Sequence, residues 1–394
     1  MTEKKYTICP LDCPDSCAMI ATVENDTITK LEGDPHHEFT AGFLCQKMRS
    51  YHNRVHSKDR ILYPMKRTGK KGDAQFERIN WDEACEIMVE QLKSIKEKHG
   101  AESVLPYSYA GNMGVISRTA GAAFFNRYGA SKLGETICSS AAKAGWNAHM
   151  GNRPGSDPIK AADSDLIIAW GINVKVSNIH FWPQINKCRK KGGKLVVIDP
   201  YKNKTAKAAD EYVQVKPAGD AALALGLAKV ILEKQGENRD YIVASTTGFN
   251  EFEQSVEALS WKDIEEQSGI GKSDITKLAD LLLANPKSFI RIGVGLSRNT
   301  VGAMSIRAIS ALAAILGLHS GETGKGVLLS AGSFNGDNET LKFSHLKENP
   351  VRQVNMIQLG HALTALKPGI HGLFVFNSNP LSVAPDAPRV KKGL

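Results

Sequence analysis

Leu166-Ile167-Ile168-Ala169-Trp170-Gly171-Ile172-Asn173 is the stretch from which the fold can be read. Five apolar residues run without a polar interruption and then give way to glycine and asparagine. A strand with one wet face alternates apolar and polar residues, so an unbroken run marks a strand covered on both sides. Runs of the same kind recur at Leu195-Val196-Val197-Ile198, Tyr212-Val213-Gln214-Val215 and Phe289-Ile290-Arg291-Ile292. Stretches of helical period separate them at 221–234, 275–283 and 304–316. Strands alternating with helices imply an α/β protein with mainly parallel sheets and helices on both faces. In such sheets ligands bind beyond the carboxyl ends of the strands, above all at switch points. The residues there are Gly171 and Asn173, then Asp199-Pro200, Gly293 and Gly295, and Asn377-Ser378-Asn379-Pro380. No G-x-G-x-x-G follows a strand, so a nucleotide-like ligand is expected to be held without the usual dinucleotide fingerprint.

The surrounding composition is ordinary. The chain has 394 residues, 42% hydrophobic and 23% charged, which fits roughly two to three domains and excludes a wholly disordered or collagen-like chain. Fifty basic against 41 acidic residues give a net charge of +9. That favours anionic partners. The small lysine clusters at 66–71 and 187–194 lack interleaved aromatics or a nucleic-acid module, so no nucleic-acid partner is expected. No apolar run is long enough to cross a membrane. Met1-Thr2-Glu3-Lys4-Lys5-Tyr6 has neither an apolar signal core nor a twin-arginine pair, and a cytoplasmic protein is expected.

Four of the seven cysteines, Cys9, Cys13, Cys17 and Cys45, fall near the N-terminus with spacing C-x3-C-x3-C-x27-C. Pro10 and Pro14 forbid one continuous helix through the first three. The segment is therefore a loop folding its thiols round a common centre. Three clustered thiolates and a distant fourth match the soft, four-sulfur ligand set of a [4Fe–4S] cluster, with a spacing unlike that of ferredoxins. Zinc, with His36 or His37, and a disulfide framework are the alternatives; tighter paired spacing and an oxidising compartment would respectively favour them. Between the third and fourth cysteines, Ala18 to Asp34 reads as a hairpin with its turn at Glu24-Asn25-Asp26. Asn80-Trp81-Asp82-Glu83 reads as a capped helix start, with Gly100 as the stop.

A cysteine-rich cap followed by dinucleotide-type α/β domains resembles the molybdopterin oxidoreductase family, which includes formate dehydrogenases and thiosulfate reductases. The likeness rests on Cys9-Pro10-Leu11-Asp12-Cys13-Pro14-Asp15-Ser16-Cys17 with Cys45-Gln46-Lys47, and on Thr136-Ile137-Cys138-Ser139-Ser140. It rests further on 163–173, Asp199-Pro200 with Thr205-Ala206, Pro217-Ala218-Gly219-Asp220, and Asn379-Pro380 with Pro385-Asp386. The resemblance implies a [4Fe–4S] cluster and molybdenum or tungsten between two molybdopterin guanine dinucleotides (bis-MGD). It implies Cys138 as the metal-ligating side chain and Lys47 as a bridge between cluster and pterin. A buried structural cysteine and a surface lysine are the plain alternatives. Asp199 suits a ribose diol or guanine N–H groups, Asp220 suits either that role or a helix cap, and Gly171, Gly219, Gly293 and Gly295 suit close approach to phosphates or simple turns.

By the same resemblance, residues 1–60 form a β-rich [4Fe–4S] domain. Residues 136–299 form a Rossmann-like domain on the first dinucleotide, and 61–135 with 300–394 an α/β domain on the second. Members of the family run several hundred residues longer, and their closing β-barrel-like domain is expected to be absent. The implied function is two-electron redox of a small molecule, with a redox partner protein; an iron–sulfur electron-transfer or scaffold subunit that has lost the pterin is the alternative. A zinc-stabilised nucleotide-binding protein is the bland reading. Ser139 stands where formate dehydrogenases carry histidine, which disfavours formate. Arg291, Arg298 and Arg307 are candidates for an oxyanion, and His149, His180, His319 and His361 for proton transfer.

Overall fold

A computed structural model describes residues 1–109, 111, 113–329 and 337–394. The chain divides into two compact units, one made of Cys13–Asp15 with Cys138–Asn335, the other of Met1–Asp12, Ser16–Ile137 and Gly336–Leu394.

The first unit is built on a parallel sheet of five strands: β1 (Leu166–Trp170), β2 (Lys194–Ile198), β3 (Glu211–Val213), β4 (Ser288–Ile292) and β5 (Gly326–Leu329). Their order is β3-β2-β1-β4-β5, with every pair parallel. The strand order reverses between β1 and β4, which makes their carboxyl ends the switch point of a doubly wound sheet. In register, Ile168 of β1 stands beside Val196 of β2 and Ile290 of β4. Every residue of β1 and β4 is buried, as the unbroken apolar run of β1 requires. Helices Asp220–Glu233 and Gly302–Ile315 contribute Leu223, Leu227, Ile231, Ile306, Ile309 and Leu312 to one core with the strands. Each such fully buried side chain stabilises the fold by about 1.5–3 kcal/mol before entropy is counted.

The placement of β5 differs from the expected domain division. Helix Gly302–Ile315 and β5 lie in the unit of the five-stranded sheet, not with the residues near the C-terminus. The reason is pairing: Phe289 to Ile292 align with Gly326 to Leu329, a contact between segments far apart in sequence.

The second unit begins with an antiparallel sheet of Thr2–Ile8, Ala18–Glu24 and Thr27–Gly33. Asn25 and Asp26 both have positive φ, 50° and 61°, the geometry a two-residue hairpin turn needs to match strand twist. Helix Trp81–His99 starts where Asn80 accepts a hydrogen bond from the Glu83 N–H at 2.8 Å and stops at Gly100. Two further parallel pairs join remote segments: Val104–Tyr107 with Gly372–Val375, and Lys132–Gly134 with Gln353–Asn355. Val104, Phe125 and Ala130 form a small core beneath them. Among the described residues no helix is long and apolar enough to cross a membrane.

Candidate functional site

Antiparallel pairing brings two of the N-terminal cysteines together. Ile8 stands opposite Ala18, and one residue beyond, the Cys9 N–H donates to the Cys17 carbonyl at 2.9 Å. The segment between them is thus a hairpin loop, the break in helical geometry that Pro10 and Pro14 demand. Cys45 caps the short helix Gln46–Arg49 and, like Cys9, packs on a core of Met19, Ala21, Leu31, Leu44 and Met48. Burial pushes the Cys9 thiol up, the nearby Cys17 and Cys45 push it further, and Lys47 opposes them. Three thiols and one cation therefore share an electrostatic neighbourhood in this unit. Among the described residues no three His, Cys, Asp or Glu side chains are gathered to hold a single metal ion. A [4Fe–4S] cube asks instead for sulfurs spread round it, one at each iron. The donor set fits that group. Cys13 belongs to the other compact unit, near Arg291.

Cys138 lies in the unit of the parallel sheet, two residues before helix Ser140–Met150. The helix N-terminus carries partial positive charge, and Arg298 adds a full one. Its guanidinium donates to the Cys138 carbonyl at 2.6 Å and stands 4.0 Å from the sulfur. Cys138 is partly exposed, so the sulfur is presented in a positive field and is not sealed in the core. Of the candidate arginines for an oxyanion, Arg298 stands at this sulfur, whereas Arg291 is 1% exposed.

Beyond β1 and β2 the structure gathers several of the expected residues. Thr205, fully buried, donates to the Asn173 side chain at 3.0 Å and accepts from the Lys175 N–H. Asp199 accepts from the Tyr201 N–H at 2.9 Å and from Asn203 at 3.1 Å. Asn203 in turn accepts from the N–H groups of Thr205 and Ala206. Asn203 is the residue sequence reasoning missed; its only local signal is its position four after Asp199. Burial holds the Asp199 carboxyl above its ordinary range, against those two hydrogen bonds. A carboxylate offers about four lone-pair sites, so two remain for a ribose diol or guanine N–H groups. Exposed Lys175, Lys202, Lys204 and Lys207 stand on the same loops, a charge suited to pyrophosphate. The donors and acceptors present thus fit a guanine dinucleotide.

The glycines gain a structural reason here, and Asp220 a different role. Gly171, Gly219, Gly293 and Gly295 each stand where a Cβ would strike the protein itself. A Cβ on Gly293 would stand 2.1 Å from the Gly171 carbonyl oxygen, and one on Gly171, whose φ is +63°, would meet Leu296. Likewise a Cβ on Gly219 would strike the Gln267 carbonyl and one on Gly295 the Gly171 carbonyl. Asp220 is neither the cap nor an open acceptor: Gly219 is the cap residue, and the buried Asp220 accepts from Trp170 Nε1 at 2.8 Å. Burial raises its pKa, with Asp199 adding to the rise and the Trp170 bond opposing it.

In the other unit Asn377 donates to the Ser117 carbonyl at 3.3 Å with φ +49°. Asn379 begins helix Pro380–Val383, and Asp386 caps helix Ala387–Gly393 by accepting from the Arg389 N–H. A cavity of about 570 Å³ lies near the carboxyl ends of strands Val104–Tyr107 and Lys132–Gly134, with Arg118, Lys342 and Lys347 on its wall. None of Asn377, Asn379 and Asp386 lines it. The histidines are occupied: His180 with Asp15, His149 and His319 with Ser310, and His361 with Arg389.

Comparison with known proteins matches these features. The family profile for the molybdopterin oxidoreductase Fe4S4 domain covers residues 2–57, and that for molybdopterin oxidoreductase covers 60–394. Probable oxidoreductase YoaE of Bacillus subtilis (strain 168) is 38% identical over 392 residues, 98% of this chain and 57% of the relative. Probable oxidoreductase YyaE of the same organism is 31% identical over 397 residues, 100% of this chain and 58% of the relative. The solved structure of acetylene hydratase from Pelobacter acetylenicus shares the fold, with a TM-score of 0.79 over 99% of this chain and 59% of that one at 24% identity. The chain therefore spans 57–58% of the length of the curated relatives it matches. A thiol-bearing N-terminal hairpin, a doubly wound sheet with Asp199 beyond the carboxyl end of β2 and profiles covering nearly every residue lead to one conclusion: this chain belongs to the molybdopterin oxidoreductase family and carries that family's Fe4S4 domain.

Proposed function

We propose that this chain is the cofactor-binding part of a molybdenum or tungsten bis-MGD oxidoreductase acting on a small molecule, with electrons passed to or from a redox partner protein in the cytoplasm. Cys9, Cys13, Cys17 and Cys45 hold a [4Fe–4S] cluster, and Cys138 ligates the molybdenum or tungsten. When bound, the metal–pterin group supplies a two-electron centre and the cluster a one-electron relay. The residues of the chain bind and orient. Asp199, Asn173 and Thr205, with Asp220 behind them, receive the first dinucleotide beyond the carboxyl ends of β1 and β2. Asn377, Asn379 and Asp386 belong to the side of the second. Lys47 carries positive charge beside the cysteines of the cluster. Arg298 keeps a guanidinium at the Cys138 sulfur, where it attracts an anionic group.

The observation that carries this reading is Cys138, a partly exposed sulfur before a helix N-terminus with Arg298 4.0 Å away. A thiolate is the ligand a soft, sulfur-rich metal site prefers. The relatives' names span redox and hydration, oxidoreductase for one and acetylene hydratase for another. Ser139 in place of histidine argues against formate, and the substrate class stays at that level. Elemental analysis of anaerobically purified protein tests the proposal. About four irons per chain with molybdenum or tungsten support it. Iron without either metal favours an electron-transfer or scaffold subunit, and zinc alone overturns it. Cys138→Ala is expected to lose molybdenum or tungsten and keep iron, and Cys9→Ala to lose iron; the reverse pattern refutes the ligand assignment.

A further inference from the structure

Asp15 lies between the second and third cysteines of the N-terminal motif, yet it is only 4% exposed. Two side chains of the sheet-bearing unit take up its carboxylate. The Asn178 amide donates to Oδ1, and His180 Nδ1 lies 2.7 Å from Oδ2. Asn178 turns its carbonyl the other way and accepts from Arg291 Nε at 2.8 Å. Arg291 projects from β4 with 1% exposure, and its guanidinium also donates to the carbonyls of Ile292 and Leu328. Burial lowers its pKa to about 10, while Asp15 and then Cys13 favour the charged form. The guanidinium is therefore a full buried charge at neutral pH, with the Asp15 carboxyl group and the Cys13 sulfur as its neighbours.

This is a costly way to anchor a loop. Apolar residues of similar volume commonly do as well or better, because each buried ion loses several kcal/mol of hydration. What apolar residues do not supply is a fixed field. Charges in the interior are little screened, and a reducing electron arriving at a cluster held by Cys13 would add negative charge within that field. A neighbouring cation favours its arrival and a neighbouring anion opposes it. Asn178, which donates to Asp15 and accepts from Arg291, holds the two charges in fixed places.

We propose that Arg291 and Asp15 are positioning residues that set the reduction potential of the iron–sulfur cluster through Cys13, Arg291 raising it and Asp15 lowering it, with Asn178 and His180 holding both in place. This rests on the reading that Cys13 is a cluster ligand. The test is a redox titration of the cluster, followed by electron paramagnetic resonance, in the full chain purified anaerobically. Arg291→Gln is expected to lower the one-electron reduction constant about tenfold and Asp15→Asn to raise it about tenfold, each about 59 mV. Arg291→Lys, which keeps the charge, is expected to stay near the wild type. A role limited to holding the loop would lower thermal stability and move both potentials the same way or not at all, and that result overturns the inference. If Arg291→Gln does not fold, the direction of the shift in Asp15→Asn decides alone. A wild-type chain without about four irons refutes the cluster reading itself, whereas a loaded wild type with unshifted variants refutes only this inference.

Discussion

Trp170→Phe probes the joint between the sheet and the carboxylates at its carboxyl end. Trp170 is the last residue of β1 and Asp220 the first of helix Asp220–Glu233; they are 0% and 4% exposed and share a 2.8 Å hydrogen bond. The substitution keeps an aromatic ring and removes the donor. A hydrogen bond to a charged group contributes about 1.5–3 kcal/mol and a neutral one about 0.5–1.5 kcal/mol. Trp170→Phe should therefore cost about 1 kcal/mol more in the wild type than in an Asp220→Asn background, a coupling that a double-mutant cycle isolates. Asp220→Asn has its own signature. Burial raises the Asp220 pKa above 3.8 in the folded state, so the folded protein binds the proton more tightly than the unfolded one. Stability is then lost as pH rises from 3.8 through the folded pKa. Asp220→Asn removes that loss, and it should be more stable than the wild type at neutral pH, with the gap closing on acidification towards 3.8. Urea unfolding followed by far-ultraviolet circular dichroism gives both answers, provided the slope is unchanged. An equal cost of Trp170→Phe in the two backgrounds would refute the reasoning.

Gly293→Ala places a methyl group 2.1 Å from the Gly171 carbonyl oxygen, backbone that cannot rotate away. It should destabilise the protein by about 1–3 kcal/mol or more, and an unchanged melting temperature would show that packing is not what requires glycine there. His319 is held to about 4 from an ordinary 6.5, by burial first and by His149 and Arg153 to a smaller degree. Its contribution is fully present above 6.5 and is lost as pH falls towards 4, up to about 3 kcal/mol. His319→Gln should flatten the stability profile in that window; a profile as steep as the wild type's would assign the acid sensitivity to other groups.

The parts legible in the sequence were those whose cause is local. Leu166 to Trp170 announce a strand buried on both faces because such a strand has no alternation to show, and the sheet places them at its centre. Asn80 with Glu83 marks a helix start because the cap is one hydrogen bond across three residues. Asp386 with Pro388 does the same near the C-terminus. The turn at Asn25 and Asp26 follows from residues that tolerate positive φ. The cysteine spacing, broken by prolines, pointed to a loop, and the hairpin supplies it.

The rest depends on partners remote in the chain. Strand β5 is four residues long and becomes recognisable only beside β4; the same holds for Val104–Tyr107 against Gly372–Val375. Glycines read as room for a ligand or for a turn also leave room for another loop. Asp220, legible as a cap or a ligand contact, is drawn inward by an indole 50 residues away. Arg291, one polar letter inside an apolar run, meets its counter-charges only when the loop carrying Asp15 folds onto the sheet. By itself the sequence determined the elements, the α/β class and the loop that carries the first N-terminal thiols, because hydrophobic period, capping and proline stereochemistry act within a few residues. The tertiary structure alone decided which carboxylates remain open to a ligand and which buried charges face each other, because hydrogen-bond satisfaction and desolvation depend on neighbours the chain brings from far away.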